Sequence, residues 1–197
     1  MDKGDFCCGY PAELAGFRKA AIKNRREVFQ HALKEKVEEI VTPCPGCYKW
    51  LSEKSKIKVK HIMCFLSENI EKWSSKLKPL NIRVVYHDPC ELGRYHSIYD
   101  EPREILKAIP GLELIEFKFN RDKCTCCGGG GLLFAIEPEL SLGVALQKIK
   151  SEVEPLNVDY IVSACPTCYR VFSYAIEKAE SEVKMADLAE ILCKALG

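Results

Sequence analysis

The sequence predicts an α/β fold made of two related halves, each with a mainly parallel sheet. Segments that favour strands alternate with segments that favour helices, and this order is typical of parallel α/β sheets. Two cysteine motifs recur at a nearly constant offset, which indicates an internal duplication. The chain has 197 residues, of which 47% are hydrophobic and 29% charged. That composition is enough for one sizeable core or two small ones, and it excludes a disordered chain.

Three segments are predicted as strands because they are rich in β-branched or aromatic residues and are bounded by Pro, Gly or Asn. They are residues 82–86, 112–119 and 160–164. The charged segment 17–39 is predicted as a helix. A terminal helix is predicted from apolar residues that follow the i, i+3, i+4, i+7 spacing of a one-faced helix. These residues are Met185, Leu188, Ala189, Leu192, Ala195 and Leu196.

Charge and hydropathy argue against several classes of protein. The chain carries 29 Lys+Arg against 28 Asp+Glu, a formal charge of +1. It therefore has no strong positive electrostatic potential that would attract nucleic acid. It contains no apolar run of about 18 residues, the length needed for a transmembrane helix. Residues 1–5 lack the basic-then-apolar order of a signal peptide. We therefore expect a cytoplasmic protein with no nucleic-acid partner and no direct membrane insertion. Any membrane association would be peripheral, through a membrane-bound partner.

Twelve cysteines set this chain apart from an average protein. Structural disulfides are disfavoured, since the chain has no export signal and cytosolic thiols are kept reduced. Thiolates select zinc, Cu(I) or iron-sulfur clusters, so metal ligation is the favoured explanation. The cysteines are Cys7, Cys8, Cys44, Cys47, Cys64, Cys90, Cys124, Cys126, Cys127, Cys165, Cys168 and Cys193.

The cysteines form a repeat. A Cys-Cys-Gly motif occurs at 7–9 and again at 126–128, an offset of 119 residues. A Cys-x-x-Cys motif, in each case after an apolar run, occurs at 44–47 and at 165–168, an offset of 121 residues. The copies differ, because the strand-like segment that leads into Cys90 has no equivalent before Cys7. We therefore expect a truncated first repeat at 1–79 and a complete second repeat at 80–197.

The spacing of the motifs bears on their chemistry. Each Cys-x-x-Cys pair follows an apolar run, and the predicted alternation of strands and helices places it beyond the carboxyl end of a strand and before a helix, where open α/β sheets have their ligand sites. Adjacent cysteines suit two irons of one cluster better than one small ion, and more than four thiols exceed the need of tetrahedral zinc. The four glycines at 128–131 form a loop without side chains, whose amides can donate hydrogen bonds to cluster sulfurs or to an anionic ligand. His87 and Asp88, just before Cys90, are candidates for a catalytic hydrogen bond or proton, although stabilising the turn explains them equally well.

A resemblance to a known family rests on the second repeat. Cys90, the Cys126-Cys127-Gly128 motif and the Cys165-x-x-Cys168 motif, with gaps of 35 and 37 residues, resemble the cysteine-rich (CCG) domain of the heterodisulfide reductase B/D family. The segments 87–90, 92–95 and 101–103 also resemble this domain and related iron-sulfur proteins of lactate and glycolate oxidation. The resemblance covers essentially the whole chain.

The resemblance implies a cofactor, a reaction and partners. It implies a 4Fe-4S cluster, non-cubane in the best-studied relatives, that reduces a disulfide or passes electrons in a hydroxyacid-oxidising complex. The electrons would come from a separate iron-sulfur or flavin subunit, so activity would require partners. The implied cluster ligands are Cys90, Cys126, Cys127, Cys165 and Cys168.

Several alternatives stay open at the level of sequence. The first repeat offers only Cys7, Cys8, Cys44 and Cys47, which suit a second cluster, a zinc ion or no metal. A zinc-stabilised interaction module and a cluster-free scaffold are therefore the competing functions. Outside the two motifs, Cys64 and Cys193 are expected to be buried packing residues, because their neighbours in sequence are apolar. Cys124 is expected to be a loop thiol near the site rather than a ligand.

Overall fold

The computed structural model describes residues 7–53 and 55–197. It divides into two compact units, a first unit of residues 1–62 and a second unit of residues 63–197. Residues 1–5, whose order differs from that of a signal peptide, lie outside the described residues. The predicted boundary between residues 79 and 80 divides the two cysteine repeats and is not the same as the boundary between these compact units. It stays a prediction. No helix in the described ranges is both long and apolar enough to cross a bilayer.

The first unit contains a two-stranded parallel sheet, and residues 39–42 of one strand pair in register with residues 58–61 of the other. Its core is formed by Cys8, Ala21, Trp50 and Leu51. The elements are α1 (Tyr10–Leu14), α2 (Arg18–Lys34), β1 (Glu39–Thr42), α3 (Pro45–Ser52) and β2 (Lys58–His61).

The second unit contains a larger sheet whose four strands all run parallel. Their order across the sheet is β4 (Glu113–Ile115), β3 (Arg83–Tyr86), β5 (Tyr160–Ser163) and β6 (Lys184–Asp187). Helix α9 (Pro138–Lys148) is followed directly by a π-helical stretch, Ile149–Val153. The elements, from the helix that leaves the first unit onwards, are α4 (Ile62–Glu68), α5 (Ile70–Trp73), β3 (Arg83–Tyr86), α6 (Cys90–His96), α7 (Asp100–Lys107), β4 (Glu113–Ile115), α8 (Leu133–Ile136), α9 (Pro138–Lys148), β5 (Tyr160–Ser163), α10 (Pro166–Ala179), β6 (Lys184–Asp187) and α11 (Leu188–Leu196).

The central strands of this sheet are buried on both faces. Val85 and Ile161 belong to the core under α9 and α10, and the alternating residues Val84, Tyr86 and Val162 lie on the other face. Helices α7 and α11 pack against each other and contact the two edge strands. Strand β3 connects through α6 and α7 to β4 on one side, whereas β5 connects through α10 to β6 on the other. A crevice therefore opens at the carboxyl ends of β3 and β5, the usual ligand position of such sheets.

The structure confirms the α/β class with parallel sheets, and it confirms strands at 83–86 and 160–163 and a helix within 17–39. Strand β4 is shorter than predicted. The start of the terminal helix is wrong, since Met185 lies in β6, paired with Ile161. The helix begins at Leu188 because a capping box precedes it: the carboxylate of Asp187 accepts a hydrogen bond from the amide of Ala189, and the carboxylate of Glu190 accepts one from the amide of Asp187.

The structure also shows how the repeat is built. A strand, a helix that starts at the Cys-x-x-Cys motif and a second parallel strand follow one another as β1-α3-β2 and as β5-α10-β6. Strands equivalent to β3 and β4 are absent from the described residues of the first unit. The two copies therefore share the part of the fold that presents the Cys-x-x-Cys motif.

Candidate metal centre

Five thiols of the second unit meet in the crevice at the carboxyl ends of β3 and β5. Cys90 begins α6 just after β3, and Cys165 caps α10 just after β5. The loop before α8 brings in Cys126 and Cys127. The sulfurs form a chain of contacts from Cys90 to Cys126, Cys127, Cys168 and Cys165, and the Cys127 to Cys168 distance is 3.2 Å. The structure thus brings together all five cysteines predicted as ligands in this half.

Backbone amides donate to these sulfurs. The amide of Gly128 lies 3.3 Å from Sγ of Cys126, and the amide of Gly129 lies 3.5 Å from Sγ of Cys127. Such hydrogen bonds stabilise thiolates and raise the reduction potential of a bound cluster. The loop therefore supplies polar support as well as ligands.

The first unit repeats this arrangement with four thiols. The amide of Gly9 lies 3.4 Å from Sγ of Cys7, and the amide of Tyr10 lies 3.5 Å from Sγ of Cys8. Sγ of Cys47 lies 3.1 Å from Sγ of Cys8, and Cys47 also contacts Cys44. The predicted first-half ligands are thus also brought together, into a smaller site.

The glycine after each cysteine pair is required by the backbone. Gly128 has φ of +87°, and a Cβ there would lie 2.6 Å from the carbonyl oxygen of Ser141 in α9. Gly9 has φ of +90°, with the carbonyl oxygen of Ala21 in α2 at the same distance. By contrast, no described atom lies within 4 Å of a Cβ built on Gly130. The first glycine of the run lets the cysteine loop approach a helix, whereas Gly130 borders open space.

Gly128→Ala is therefore expected to lower the free energy of unfolding by at least about 1–2 kcal/mol, from the left-handed backbone alone. The contact with α9 adds to this loss. Denaturant titration measures it, with Gly130→Ala as the matched control that should stay within about 0.5 kcal/mol of the parent. Equal stability of the two variants would contradict the requirement for glycine at position 128.

The pKa values of four of the five thiols, those of residues 90, 126, 127 and 168, are shifted by hydrogen bonds between neighbouring sulfurs. Hydrogen bonds from Cys127 and Cys90 lower the pKa of Cys126 to about 2. The hydrogen bond with Cys126 raises the pKa of Cys127 to about 12. The pKa values of Cys90 and Cys168 are also raised by hydrogen bonds with their thiol neighbours. Five thiolates at this separation would repel one another, so complete deprotonation requires cations. The electrostatics favour a metal site.

The four-thiol site follows the same pattern. Hydrogen bonds from Cys47 lower the pKa of Cys8 to about 6 and that of Cys44 to about 7. The pKa of Cys47 is raised in turn, chiefly by its hydrogen bond to Cys44. Part of this site is thus poised as thiolate near neutral pH, which favours metal binding there as well.

His87 faces the five-thiol site. Its Nδ1 lies 3.6 Å from Sγ of Cys124, and its ring packs edge-on against Phe172 at 4.9 Å. One of its ring nitrogens and the sulfurs of Cys127 and Cys168 all lie within 4.8 Å of one another. Burial, followed by the charge of Lys148, lowers the pKa of His87 to about 3. The imidazole is therefore neutral at pH 7 and offers a hydrogen bond, not a charge.

Asp88, the other predicted catalytic candidate, is engaged in an ion pair. Its two carboxylate oxygens accept from Arg103 at 2.7 and 2.8 Å, and one of them also accepts the amide of Arg121 at 2.7 Å. Arg103 also binds both oxygens of Glu116, just beyond β4. Asp88 thus joins the turn before Cys90 to the loop that leads to Cys124. Sequence reasoning did not find the role of Arg103, because its two partners lie 15 and 13 residues away.

A second polar cluster missed by sequence reasoning lies beside Cys126. The ammonium of Lys148 is buried, donates to Thr125 and Glu152, and lies 4.1 Å from the centre of the Phe117 ring. The i, i+4 spacing of Lys148 and Glu152 is the only signal that the sequence offers for this pair. The cluster holds Thr125, the residue that precedes Cys126.

A cleft of about 530 Å³ adjoins this cluster and reaches Cys126, the exposed member of the five cysteines. A cleft of about 570 Å³ lies at the opposite, amino ends of β3, β5 and β6, where Arg83 and Asp159 line it. Of these two clefts, only the one of about 530 Å³ is lined by a cysteine among the described residues. It is lined by Thr125, Cys126, Glu139, Leu140, Gly143, Val144, Gln147, Lys148, Ser151 and Glu152.

The cysteines outside the two motifs divide into two groups. Cys124 is buried beside His87, which agrees with its expected place near the site. Cys193 is exposed, so the expectation of a buried packing residue is wrong for it, whereas Cys64 is half-buried and meets that expectation only in part. Helix α11 buries Leu188, Ile191, Leu192 and Ala195, and this spacing leaves Cys193 on its outer face.

The family model for the cysteine-rich domain, CCG, matches residues 1–52 and 84–173. These two matches cover more than half of the chain and include both sets of thiols. The chain belongs to the CCG cysteine-rich domain family. The match to two regions agrees with the internal repeat, and the resemblance predicted from the second set of cysteines is confirmed.

Curated relatives of this CCG protein are named as parts of redox enzymes. It is 32% identical over 213 residues to a subunit of dihydromethanophenazine:CoB–CoM heterodisulfide reductase from Methanosarcina barkeri, with 100% of this chain and 51% of the relative covered. It is 34% identical to a subunit of fumarate reductase (CoM/CoB) from Methanothermobacter marburgensis, with 96% and 38% covered. It is 31% identical to EtfAB:quinone oxidoreductase of Syntrophomonas wolfei, with 98% and 29% covered. The CCG protein thus spans about half the length of the heterodisulfide reductase relative and less of the other two.

Proposed function

We propose that the five thiols of the second unit hold an iron-sulfur cluster and that the chain is a redox subunit of a heterodisulfide-reductase-like complex. The observation that carries this proposal is the chain of sulfur contacts through all five cysteines at the carboxyl edge of the sheet. The names of the relatives support the same class of activity.

The donor set fits a 4Fe-4S cluster better than zinc. Tetrahedral zinc takes four ligands, so one thiol of this site would be surplus. Five thiols suit the non-cubane cluster that the family resemblance implies, in which the adjacent Cys126 and Cys127 would serve different irons. The amides of Gly128 and Gly129 point at sulfur, as in sites that tune a cluster, and open space at Gly130 leaves room for a bulky group. The cluster ligands would be Cys90, Cys126, Cys127, Cys165 and Cys168.

The proposed reaction converts a disulfide RS–SR′, two electrons and two protons into the thiols RSH and R′SH. When bound at these thiols, a cluster would supply the electrons one at a time, and a reduced iron-sulfur or flavin protein would replenish them. Burial of Cys127, Cys165 and Cys168 excludes water from most of the site, while Cys126 is open to a substrate. The neutral His87 donates or accepts a hydrogen bond at Cys124 and so fixes one wall of the site.

The four-thiol site of the first unit suits either of two occupants. Cys7, Cys8, Cys44 and Cys47 match the ligand number of a structural zinc site and equally that of a four-cysteine cluster. We propose that this site binds a metal, since Sγ of Cys47 lies 3.1 Å from Sγ of Cys8 and also contacts Cys44, so that a cation is needed for all of these thiols to be deprotonated together.

Iron, acid-labile sulfide and zinc in anaerobically purified protein test the cluster, together with EPR of oxidised and reduced samples. We expect about four irons per chain if only the second unit is loaded and about eight if both are, with an EPR signal from the five-thiol site. Zinc without iron would overturn the proposal and leave a metal-stabilised interaction module. Neither metal would leave a cluster-free scaffold.

A separate assay tests the reaction. The loaded protein is reduced with a low-potential dye and mixed with a panel of organic disulfides, and the released thiols are counted. Two thiols per two electrons are expected. A protein that takes up electrons but releases no thiol from any member would instead be an electron-transfer subunit, the role suggested by the name of the quinone oxidoreductase relative.

A further inference from the structure

A buried lysine is tied to the loop that carries Cys126. Lys148 is the last residue of α9, and its ammonium donates to the hydroxyl of Thr125, the residue before Cys126. Glu152 accepts a hydrogen bond from Lys148 at 2.9 Å and another from the hydroxyl of Thr125 at 2.7 Å. The three side chains thus form a closed set of hydrogen bonds next to a proposed cluster ligand.

Fold stability alone does not account for this lysine. Transfer of an ammonium from water to a protein interior is costly, and hydrophobic side chains of similar volume often stabilise a fold as well as a buried ion pair does. The ammonium of Lys148 lies 4.1 Å from the centre of the Phe117 ring, which belongs to the core. The chain therefore keeps a positive charge at a position where an apolar side chain would also pack, which indicates a use for the charge.

The two charges of the pair lie at different depths. The side chain of Lys148 is 2% exposed, whereas that of Glu152 is 22% exposed. Glu152 belongs to the π-helical stretch Ile149–Val153, a type of turn that is rare and is frequent at functional sites. Because solvent screens an exposed charge more than a buried one, the pair leaves a net positive potential on its buried side.

This positive potential reaches the crevice of the five thiols. Burial, followed by the charge of Lys148, lowers the pKa of His87, whose ring faces the site. Burial raises the pKa of Cys124, and the charge of Lys148 opposes this rise. Glu152 acts on Cys124 in the other direction and more weakly. The lysine thus outweighs its partner at the site.

We propose that the buried ammonium of Lys148 raises the reduction potential of the cluster held by the five thiols and that Glu152 limits the size of this effect. Reduction adds a negative charge, and a nearby positive charge stabilises it. The inference rests on the proposed function and specifies which residues set the driving force for accepting an electron. Lys148 acts on the cluster through its charge and is not a catalytic residue.

Redox titration of the anaerobically purified full chain tests this inference. A reduced dye delivers one electron to the cluster, and the reduction is followed by the EPR signal that Cys127→Ser removes. A unit charge about 10 Å away, at an effective dielectric constant of about 20, changes the equilibrium constant for one-electron reduction about tenfold, or about 59 mV. Lys148→Met should lower the potential by about this amount, and Glu152→Gln should raise it. The double variant Lys148→Met/Glu152→Gln should lie between the parent and Lys148→Met.

Lys178→Met is the matched control, since Lys178 pairs with Glu139 at 2.8 Å on the surface, where the side chains are 50% and 81% exposed. Its potential should stay within about twofold of the parent in the same equilibrium constant. If Lys148→Met does not fold, Glu152→Gln tests the same charge effect with the opposite sign.

A purely structural role for the pair would lower stability in the variants and leave the potential unchanged. Unchanged potentials in Lys148→Met and Glu152→Gln, or shifts of the same sign in both, would overturn the inference. A parent protein without iron would overturn it together with the proposed function, whereas a cluster whose potential ignores these two charges would overturn this inference alone. Failure of the disulfide assay leaves the measured potentials unaffected.

Discussion

Cys127→Ser is expected to lose the metal that we propose for the second unit. Cys127 is almost fully buried and contacts both Cys126 and Cys168, so it occupies the middle of the chain of five sulfurs. Replacement of a residue that merely supports a ligand weakens metal binding 10–100-fold, and we expect loss of this thiolate to cost roughly 100-fold or more. Iron and sulfide content and EPR of the anaerobically purified variant measure the effect.

The matched control is Cys193→Ser. Cys193 is an exposed cysteine on the outer face of α11, outside both cysteine motifs. Its replacement should leave iron content and the EPR signal unchanged. If both variants retained the same iron and the same signal, the five-thiol site would not be the cluster site. A residual signal in Cys127→Ser of a different type would identify metal in the first unit.

Arg103→Leu is expected to lower the free energy of unfolding by about 3–5 kcal/mol, the typical cost of removing one partner of a buried ion pair. The side chains of Arg103 and Asp88 are 3% and 2% exposed, and the substitution leaves the carboxylate buried without its cation. It also removes the ion-pair partner of Glu116 and so releases the connection between the carboxyl ends of β3 and β4. Denaturant titration under anaerobic conditions measures the change.

Arg83→Leu is the matched control, since Arg83 pairs with Glu113 at the surface, where the side chains are 39% and 59% exposed. Surface pairs contribute about 1 kcal/mol or less. The double variant Arg103→Leu/Asp88→Asn should recover part of the loss, because it removes the unpaired charge. Similar losses in Arg103→Leu and Arg83→Leu would show that the buried network does not anchor the fold.

The network also explains how the crevice is held in place. Asp88 precedes Cys90 by two residues and accepts the amide of Arg121, three residues before Cys124. Arg94 extends this connection by donating to the carbonyl oxygen of Cys124. A loosened network would let the loops of Cys90 and Cys126 separate. We therefore expect weaker metal retention in Arg103→Leu as well, to be measured as iron released to a chelator over time.

The duplication has a physical consequence for the loops. In both units the residue after the cysteine pair adopts a left-handed conformation against a helix, and amides two residues on donate to the cysteine sulfurs. The same local sequence, Cys-Cys-Gly, therefore produces the same local geometry. The units differ in the thiol added by the turn after β3, for which the described first unit has no equivalent.

The sequence by itself determined the properties that depend on local pattern. Cysteine identity and spacing indicated the repeat and the family, and the apolar runs before residues 44 and 165 placed each Cys-x-x-Cys motif between a strand and a helix. These inferences succeed because parallel α/β folds place ligand residues at the carboxyl ends of strands. The start of α11 was missed because the periodicity at Met185 continues into a strand, where pairing with β5 prevails.

Only the tertiary structure decided which groups meet across long separations. Asp88 could have been a proton donor by sequence, but Arg103 and Arg121 occupy it. Nothing in the spacing indicated that Lys148 lies beside Thr125, or that Gly143 borders a cleft at Cys126. These contacts arise from the packing of α7 and α9 around the sheet. Such packing depends on the total fit of side chains rather than on any local pattern, and it therefore leaves no periodic signal in the sequence.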